Sequence, residues 1–294
     1  MPDVLGQRTR IFMDSLPQPT SDDTITNTDS TLVNKVHPNN SPKKSAASLA
    51  SDEAEAISKH FSTYLAPCIA YSEQLKQQVY ALRHQVYCEE LHFEETNAQQ
   101  MEQDEFDERS LHCFIRHLNS GVLAGTLRVI TTGRNNEPLP LEKFCAQAIT
   151  NENLKPQHFL SHQICEISRL AVPAAFRKRQ VDQFVGGATG AINEQTFSTE
   201  ELRFFPYIAI SLYLSAIAIC YKSRLYHVFV MMEPRLARSL GFVGIYFTPI
   251  GPTVEYHGKR AAYYVDVRQI RKTLSSGYKK LLTMMARELF VNPR

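Results

Sequence analysis

A surplus of either charge is missing from this chain. Its 32 Lys and Arg stand against 30 Asp and Glu in 294 residues, so the broad electrostatic footprint of a nucleic-acid binder is absent, and any anion site must come from a local patch. Metal-ligand spacing is missing too. The six cysteines (Cys68, Cys88, Cys113, Cys145, Cys165 and Cys220) form no C-x-x-C pair, and the ten histidines form no H-E-x-x-H cluster. That pattern argues against a zinc site and for reduced, mostly buried thiols in a cytoplasmic protein. No apolar run occurs in the first sixty residues, which argues against a secretory signal. The uncharged stretch Phe204–Tyr221 touches the length of a membrane span. Pro206, Ser211, Ser215 and three tyrosines interrupt it, and it reads as a buried core helix.

Glycine is nearly absent from residues 1–50, where Gly6 stands alone among Ser, Thr, Asp, Asn and Pro. Such a segment cannot bury enough apolar surface to offset its ordering entropy and reads as a disordered tail. Residues 51–271 read as one folded domain. Ser51-Asp-Glu-Ala-Glu starts a helix carrying Ile57, Phe61, Tyr64 and Leu65. A second helix, about Ser72 to Cys88, has the stripe Leu75, Val79, Leu82, Val86 and Tyr87. An acid-rich connection leads to a hairpin, Leu111–His117 and Val122–Thr131, then to a short helix over Leu139–Ala148. After the strand at Glu166 come a basic loop, an insertion near 186–201, the long apolar helix, and a strand Leu225–Met231. A helix over Glu233–Phe242 and strands Phe247–Pro252 and Ala261–Val267 complete the domain. This order predicts a mixed α/β (α+β) domain around one sheet rather than a βαβ array. Residues 272–294 form a basic amphipathic helix with Leu281, Leu282, Met285, Leu289 and Phe290. Packing on the domain is its default role, and contact with a membrane surface stays open.

The strand Glu166-Ile-Ser-Arg169-Leu-Ala-Val172 is the most informative stretch. Alternation puts Glu166 and Ser168 on one face and Ile167 and Arg169 on the other. Charges on so apolar a strand must be paired or used, since an isolated buried charge is prohibitive. Upstream lie Arg83, the acidic cluster Glu102-Gln-Asp104-Glu-Phe106-Asp107, and Arg128. From charge alone the acidic cluster reads as a solvated surface run; the alternatives are an Arg–carboxylate network tying a helix to the sheet or a set of substrate contacts, and those two roles are compatible.

The fourth strand running into Arg177-Lys178-Arg179-Gln180 resembles the GNAT-type N-acyltransferases, which implies a mostly antiparallel central sheet flanked by helices. The family's phosphate loop carries glycines that are absent here, which weakens any grip on a coenzyme A pyrophosphate. Arg83, Phe93, Glu102-x-Asp104-x-x-Asp107, Arg128 and Glu166-x-x-Arg169 together resemble the acyl-homoserine-lactone synthases and N-acyl amino acid synthases of that fold. More narrowly, Glu166–Val172, Met231-Met-Glu-Pro-Arg-Leu-Ala-Arg238 and Ile250–Gly258 resemble the acyltransferases associated with PEP-CTERM/exosortase systems. The chain has phenylalanine where the lactone synthases usually have tryptophan.

The resemblance implies transfer of a long-chain acyl group from acyl carrier protein, or from acyl-CoA, to the amino group of an amino acid or related small amine. No cofactor is bound permanently; the co-substrate is an acyl-phosphopantetheine thioester. Glu166 is expected as general base, with Glu102 second. Arg83, Phe93, Asp104, Phe106 and Arg128 are expected at the substrate, and Asp107 and Arg169 in orienting or structural roles. Arg177, Lys178 and Arg179 are expected to meet the carrier protein or its phosphate. A lactone synthase using S-adenosylmethionine, or a non-catalytic acyl-binding module, are the alternatives.

Overall fold

A computed structural model describes residues 61–177 and 207–291. The expected N-terminal tail, the helix start at Ser51, Lys178, Arg179 and the insertion near 186–201 lie outside the described residues. One seven-stranded sheet, in the order β1-β2-β3-β4-β5-β7-β6, organises the domain. Its strands are β1 (Leu65–Ile69), β2 (Ser110–His117), β3 (Leu123–Thr131), β4 (Ile164–Ala171), β5 (His227–Met232), β6 (Thr248–Glu255) and β7 (Lys259–Asp266). All neighbours pair antiparallel except β4 and β5, which run parallel. This is the mixed, mostly antiparallel GNAT-like architecture expected from the sequence.

The first strand corrects the sequence reading. Leu65 was expected to continue a helix; among the described residues the helix ends at residue 64, and the chain extends into β1 and pairs with β2. The apolar run Leu65-Ala-Pro-Cys-Ile69 is buried at every position. Pro67 is tolerated because β1 is an edge strand. Helix α1 (Glu73–His84) follows, with the Ser72 side chain accepting from the Leu75 amide. Rather than continuing as α-helix to Cys88, the chain widens into a π-helical turn over Gln85–Glu90. A short helix α2 (Pro140–Phe144) precedes β4, and α3 (Ala174–Arg177) follows it.

Alternation along the strands sorts the core into two layers. Val129, Ile167, Val228, Val230, Tyr263 and Val265 face helix α4 (Ile208–Lys222) and the C-terminal helix α7 (Ser276–Phe290). Ile130, Ile164, Phe229 and Ala262 face the opposite layer, with Leu139, Leu141 and Cys145 of the α2 region. Helix α4 is buried along most of its length, as the uncharged stretch predicts. No helix among the described residues is long and apolar enough to cross a membrane. Helices α5 (Pro234–Phe242) and α6 (Val267–Thr273) flank the last two strands. Gly241 lies inside α5, and Gly244 just beyond it takes the positive φ of 97°.

Gly251 on β6 has a different role, close approach rather than a turn. The Thr150 and Asn151 amides both donate to the Ile250 carbonyl at 2.9 Å. A Cβ on Gly251 would lie 1.7 Å from the Ala148 carbonyl oxygen. Backbone cannot yield as a flexible side chain can, so Gly251→Ala is expected to cost ~3 kcal/mol or more, read as a lowered denaturant midpoint with an unchanged slope.

Candidate active site

The site begins with a break in β4. Arg128 pairs with Ser168, but Thr126 pairs with Ala171, so two steps on β3 answer three on β4. The extra residue makes a β-bulge, and Arg169 takes a left-handed φ of 52°. The expectation that Arg169 and Glu166 occupy opposite faces is thereby overturned: the bulge turns Arg169 back to the side of Ser168. Pairing between β4 and β5 also ends early, at Ile167 and Val230. Beyond it the strands part around a cleft of about 310 Å³, whose walls include Glu166, Ser168 and Arg169 from β4 and Met231 and Met232 from β5. The π-turn braces this opening. Its Tyr87 hydroxyl donates to the Leu170 carbonyl at 2.8 Å.

Three arginines and four carboxylates meet at the bulge. Arg83 is 1% exposed; its Nε donates to Glu102 Oε2 at 2.5 Å and its Nη1 to Asp107 Oδ1 at 2.7 Å. Arg128 donates from Nη1 to Asp104 and Asp107, both at 2.6 Å, and from Nε to the Ser168 hydroxyl at 2.9 Å. Arg169 donates to Glu102 at 3.0 Å, Asp104 at 3.3 Å and Glu94 at 3.4 Å. Burial pushes the Asp107 carboxyl up, but Arg83, Arg128 and the Asp104 amide outweigh it and hold the group down at about 2. Asp104 is lowered as well, its burial overcome by its bonds to Arg128. These acids are therefore fixed anions.

Glu166 behaves oppositely. It is 3% exposed, stands between Ile130 and Phe229 in the sheet, and among the described residues no arginine hydrogen-bonds it. Desolvation raises it to about 7, against the partial help of the Leu141 amide, which donates to Oε2 at 2.8 Å, and of the Arg128 charge. One carboxyl among several is thus poised to take and release a proton near neutrality.

Of the expected site residues, Arg83, Glu102, Asp104, Asp107, Arg128 and Arg169 meet in one network, and Glu166 lies beside it. Arg128, Arg169, Glu166, Phe93 and Arg177 line the cleft; Arg83, Glu102, Asp104 and Asp107 stand behind the lining. Both Glu102 oxygens are engaged by arginines. Phe106 is buried against Ile130, Leu139 and Leu141 and also stands outside the lining. Arg177 is ion-paired to Glu90, whose carboxylate accepts from the Ala174 amide at the start of α3. Glu90, Glu94, Tyr256 and Arg260 are site residues that spacing does not single out. The two acids are lost in a run of similar ones, and Tyr256 and Arg260 flank a turn whose approach to β4 exists only in three dimensions.

Two stability measurements check this picture. Removing one member of a buried ion network strands its partners, so Arg83→Met is expected to cost ~3–5 kcal/mol in chemical denaturation. Glu166 binds its proton more tightly folded than unfolded. Its contribution is complete below the ordinary glutamate value and is lost as pH rises through about 7. Glu166→Gln keeps an acceptor for the Leu141 amide, so relative to the native chain it is expected to gain ~3 kcal/mol between pH 4 and pH 8.

Residues 82–186 match the family "Acetyltransferase (GNAT) domain", a segment that holds Arg83, the acidic cluster, Arg128, Glu166 and Arg169. No curated protein matches the chain. Among solved structures, BjaI, described as a CoA-dependent acyl-homoserine lactone synthase with SAM and isopentyl-CoA, is similar at 18% identity and a TM-score of 0.53. The match covers 74% of this chain and 89% of BjaI. The AHL synthase LasI matches at 16% identity and a TM-score of 0.51, over 72% of this chain and 94% of its own. TofI, in a ternary complex with an inhibitor and MTA, matches at 16% and 0.51, over 69% and 91%. A segment of the chain therefore matches a GNAT domain, and the chain has the fold these synthases share.

Proposed function

We propose that the protein moves a long-chain acyl group from the phosphopantetheine thioester of an acyl carrier protein to the amino group of an amino acid or related small amine. The observation that carries this reading is Glu166, a carboxyl raised to about 7 at the wall of the cleft where β4 and β5 part. The amine nitrogen attacks the thioester carbonyl carbon and forms the amide bond. Its proton passes to Glu166, directly or through a water. The carbon–sulfur bond then breaks, and the departing thiolate leaves as a thiol with a proton, restoring Glu166 to its carboxylate. Bulged backbone at Arg169–Leu170, outside the regular β3–β4 pairing, offers N–H groups to the carbonyl oxygen as negative charge builds there. Arg128 and Arg169, held by their acids, keep the wall rigid. Glu102, fully engaged by arginines, belongs to that support.

Glu90 supports the carrier protein over free coenzyme A as donor. Its carboxylate already occupies the Ala174 amide and Arg177, groups that a pyrophosphate would otherwise attract. The donor's location makes the cytoplasm the expected compartment. The stretches Glu166–Val172, Met231–Arg238 and Ile250–Gly258 support a place beside the acyltransferases of PEP-CTERM/exosortase systems.

Acyl carrier protein and coenzyme A, each loaded with the same long acyl chain and offered a pool of amino acids, test the reading by mass spectrometry of the products. Carrier-dependent N-acyl product is expected, with kcat/KM falling tenfold per pH unit below about 7. Glu166→Gln is expected to lower kcat by ~10²–10⁴. Full rate in that variant would remove Glu166 as the base.

A further inference from the structure

Four arginines line the cleft, and three are answered by acids of the chain itself. Arg128 holds Asp104 and Asp107, Arg169 holds Glu102, Asp104 and Glu94, and Arg177 holds Glu90. Arg260 is the exception. Among the described residues no carboxylate lies within ion-pair distance of it, and its Nε is buried without a hydrogen-bond partner. An unanswered donor of this kind costs roughly 1–3 kcal/mol, more when charged. In the cleft its guanidinium carbon lies 5.7 Å from the centroid of the Phe93 ring.

The sheet register fixes where this charge points. On β7, Ala262 and Tyr264 belong to the layer of Ile130, Ile164 and Phe229, so Arg260, two residues before Ala262, presents to that same layer. Glu166, paired with Ile130 and Phe229, shares it. Tyr264 stands opposite Phe229 and Ala262 opposite Met231, so continuing the register carries Arg260 level with Glu233, past the last β4–β5 pair and into the opened end of the cleft. The base and the unanswered cation therefore stand on one side of the sheet around one cavity. The buried Cys145 thiol, raised first by burial, senses both, Glu166 pushing it up and Arg260 drawing it down.

We infer that Arg260 anchors a carboxylate of the acyl acceptor, which makes the acceptor an amino acid rather than a simple amine. This rests on the acyltransferase reading above. A guanidinium presents paired N–H donors that match a carboxylate's two oxygens, and Phe93 holds its plane. Arg260 thus fixes the carboxylate end of the acceptor and leaves the amino end to the Glu166 side. The acceptor's carboxylate supplies the anion that no acid of the chain provides.

Rates with the acyl carrier donor are measured for the twenty amino acids, then for the primary amide and the decarboxylated amine of the best acceptor. The native chain is expected to favour the carboxylate form in kcat/KM by roughly 10–100-fold. Arg260→Met is expected to erase that preference by raising KM for the amino acid far more than for its amide. Arg260→Lys, which keeps charge without the fork, is expected to fall between. Equal rates for acid, amide and amine in the native chain would overturn the inference, and that comparison needs no variant. A preference that survives Arg260→Met, or a variant whose KM rises for the acyl donor instead, would also overturn it. Failure to acylate any amine would sink the acyltransferase reading and this inference with it.

Discussion

Three guanidinium groups packed behind one strand are the constraint on which the rest of the domain depends. A charge brought out of water without a partner is too costly to fold. Arg83 from α1, Arg128 from β3 and Arg169 from β4 therefore require the acids of the 102–107 segment to arrive together. That segment has little regular structure of its own, only a short 3-10 turn over Asp107–Arg109. Its conformation is dictated by what it must neutralise. The network joins helix to sheet, and it leaves Glu166 next door as a carboxyl without an arginine of its own. Acids of the same chemical type thus separate into permanent anions and one proton acceptor through their neighbours alone.

Much of this was legible in the residues. The hairpin Ser110–Thr131, the buried helix α4, and the last two strands follow from alternation, from an uncharged run and from turn signals. The members of the charge network could be named because Arg83, the acids of the 102–107 segment, Arg128 and Glu166-x-x-Arg169 together resemble a family signature; charge alone leaves the acids as a solvated surface run. Two things were hidden. Leu65–Ile69 has no alternation to mark it as a strand, because as a fully buried segment it has no solvent face. The extra residue in β4 was hidden from alternation too, although the resemblance to the GNAT fold implies a bulge in that strand. A period of two cannot show a bulge, and the face assigned to Arg169 failed for that reason. Arg260 went unnoticed because in sequence it is one basic residue after a turn, and its significance comes from acids that are missing around it.

The bulge and the π-turn both insert one residue more than the regular ladder accommodates, and they are tied to each other through the Tyr87 hydroxyl and the Leu170 carbonyl. Irregular backbone of this sort persists only where its surroundings over-determine it. Here the surroundings are the ion network on one side and Glu90 bound to Ala174 on the other. Local irregularity and long-range charge pairing support each other, so neither explains the cleft alone.

The single parallel pairing of β4 with β5 has a consequence for how the molecule is assembled. Strands β1 to β4 pair in order of their appearance, and β5 to β7 form a second group close in sequence. Only the short seam Ile164–Ile167 against His227–Val230 joins the two groups edge to edge, and the chain between them must be looped out and its entropy surrendered before that contact gives anything back. The seam is therefore the natural last step of sheet formation. Glu166 is contributed by the first group and Arg260 by the second, so the cleft that both of them line exists only where the two groups meet.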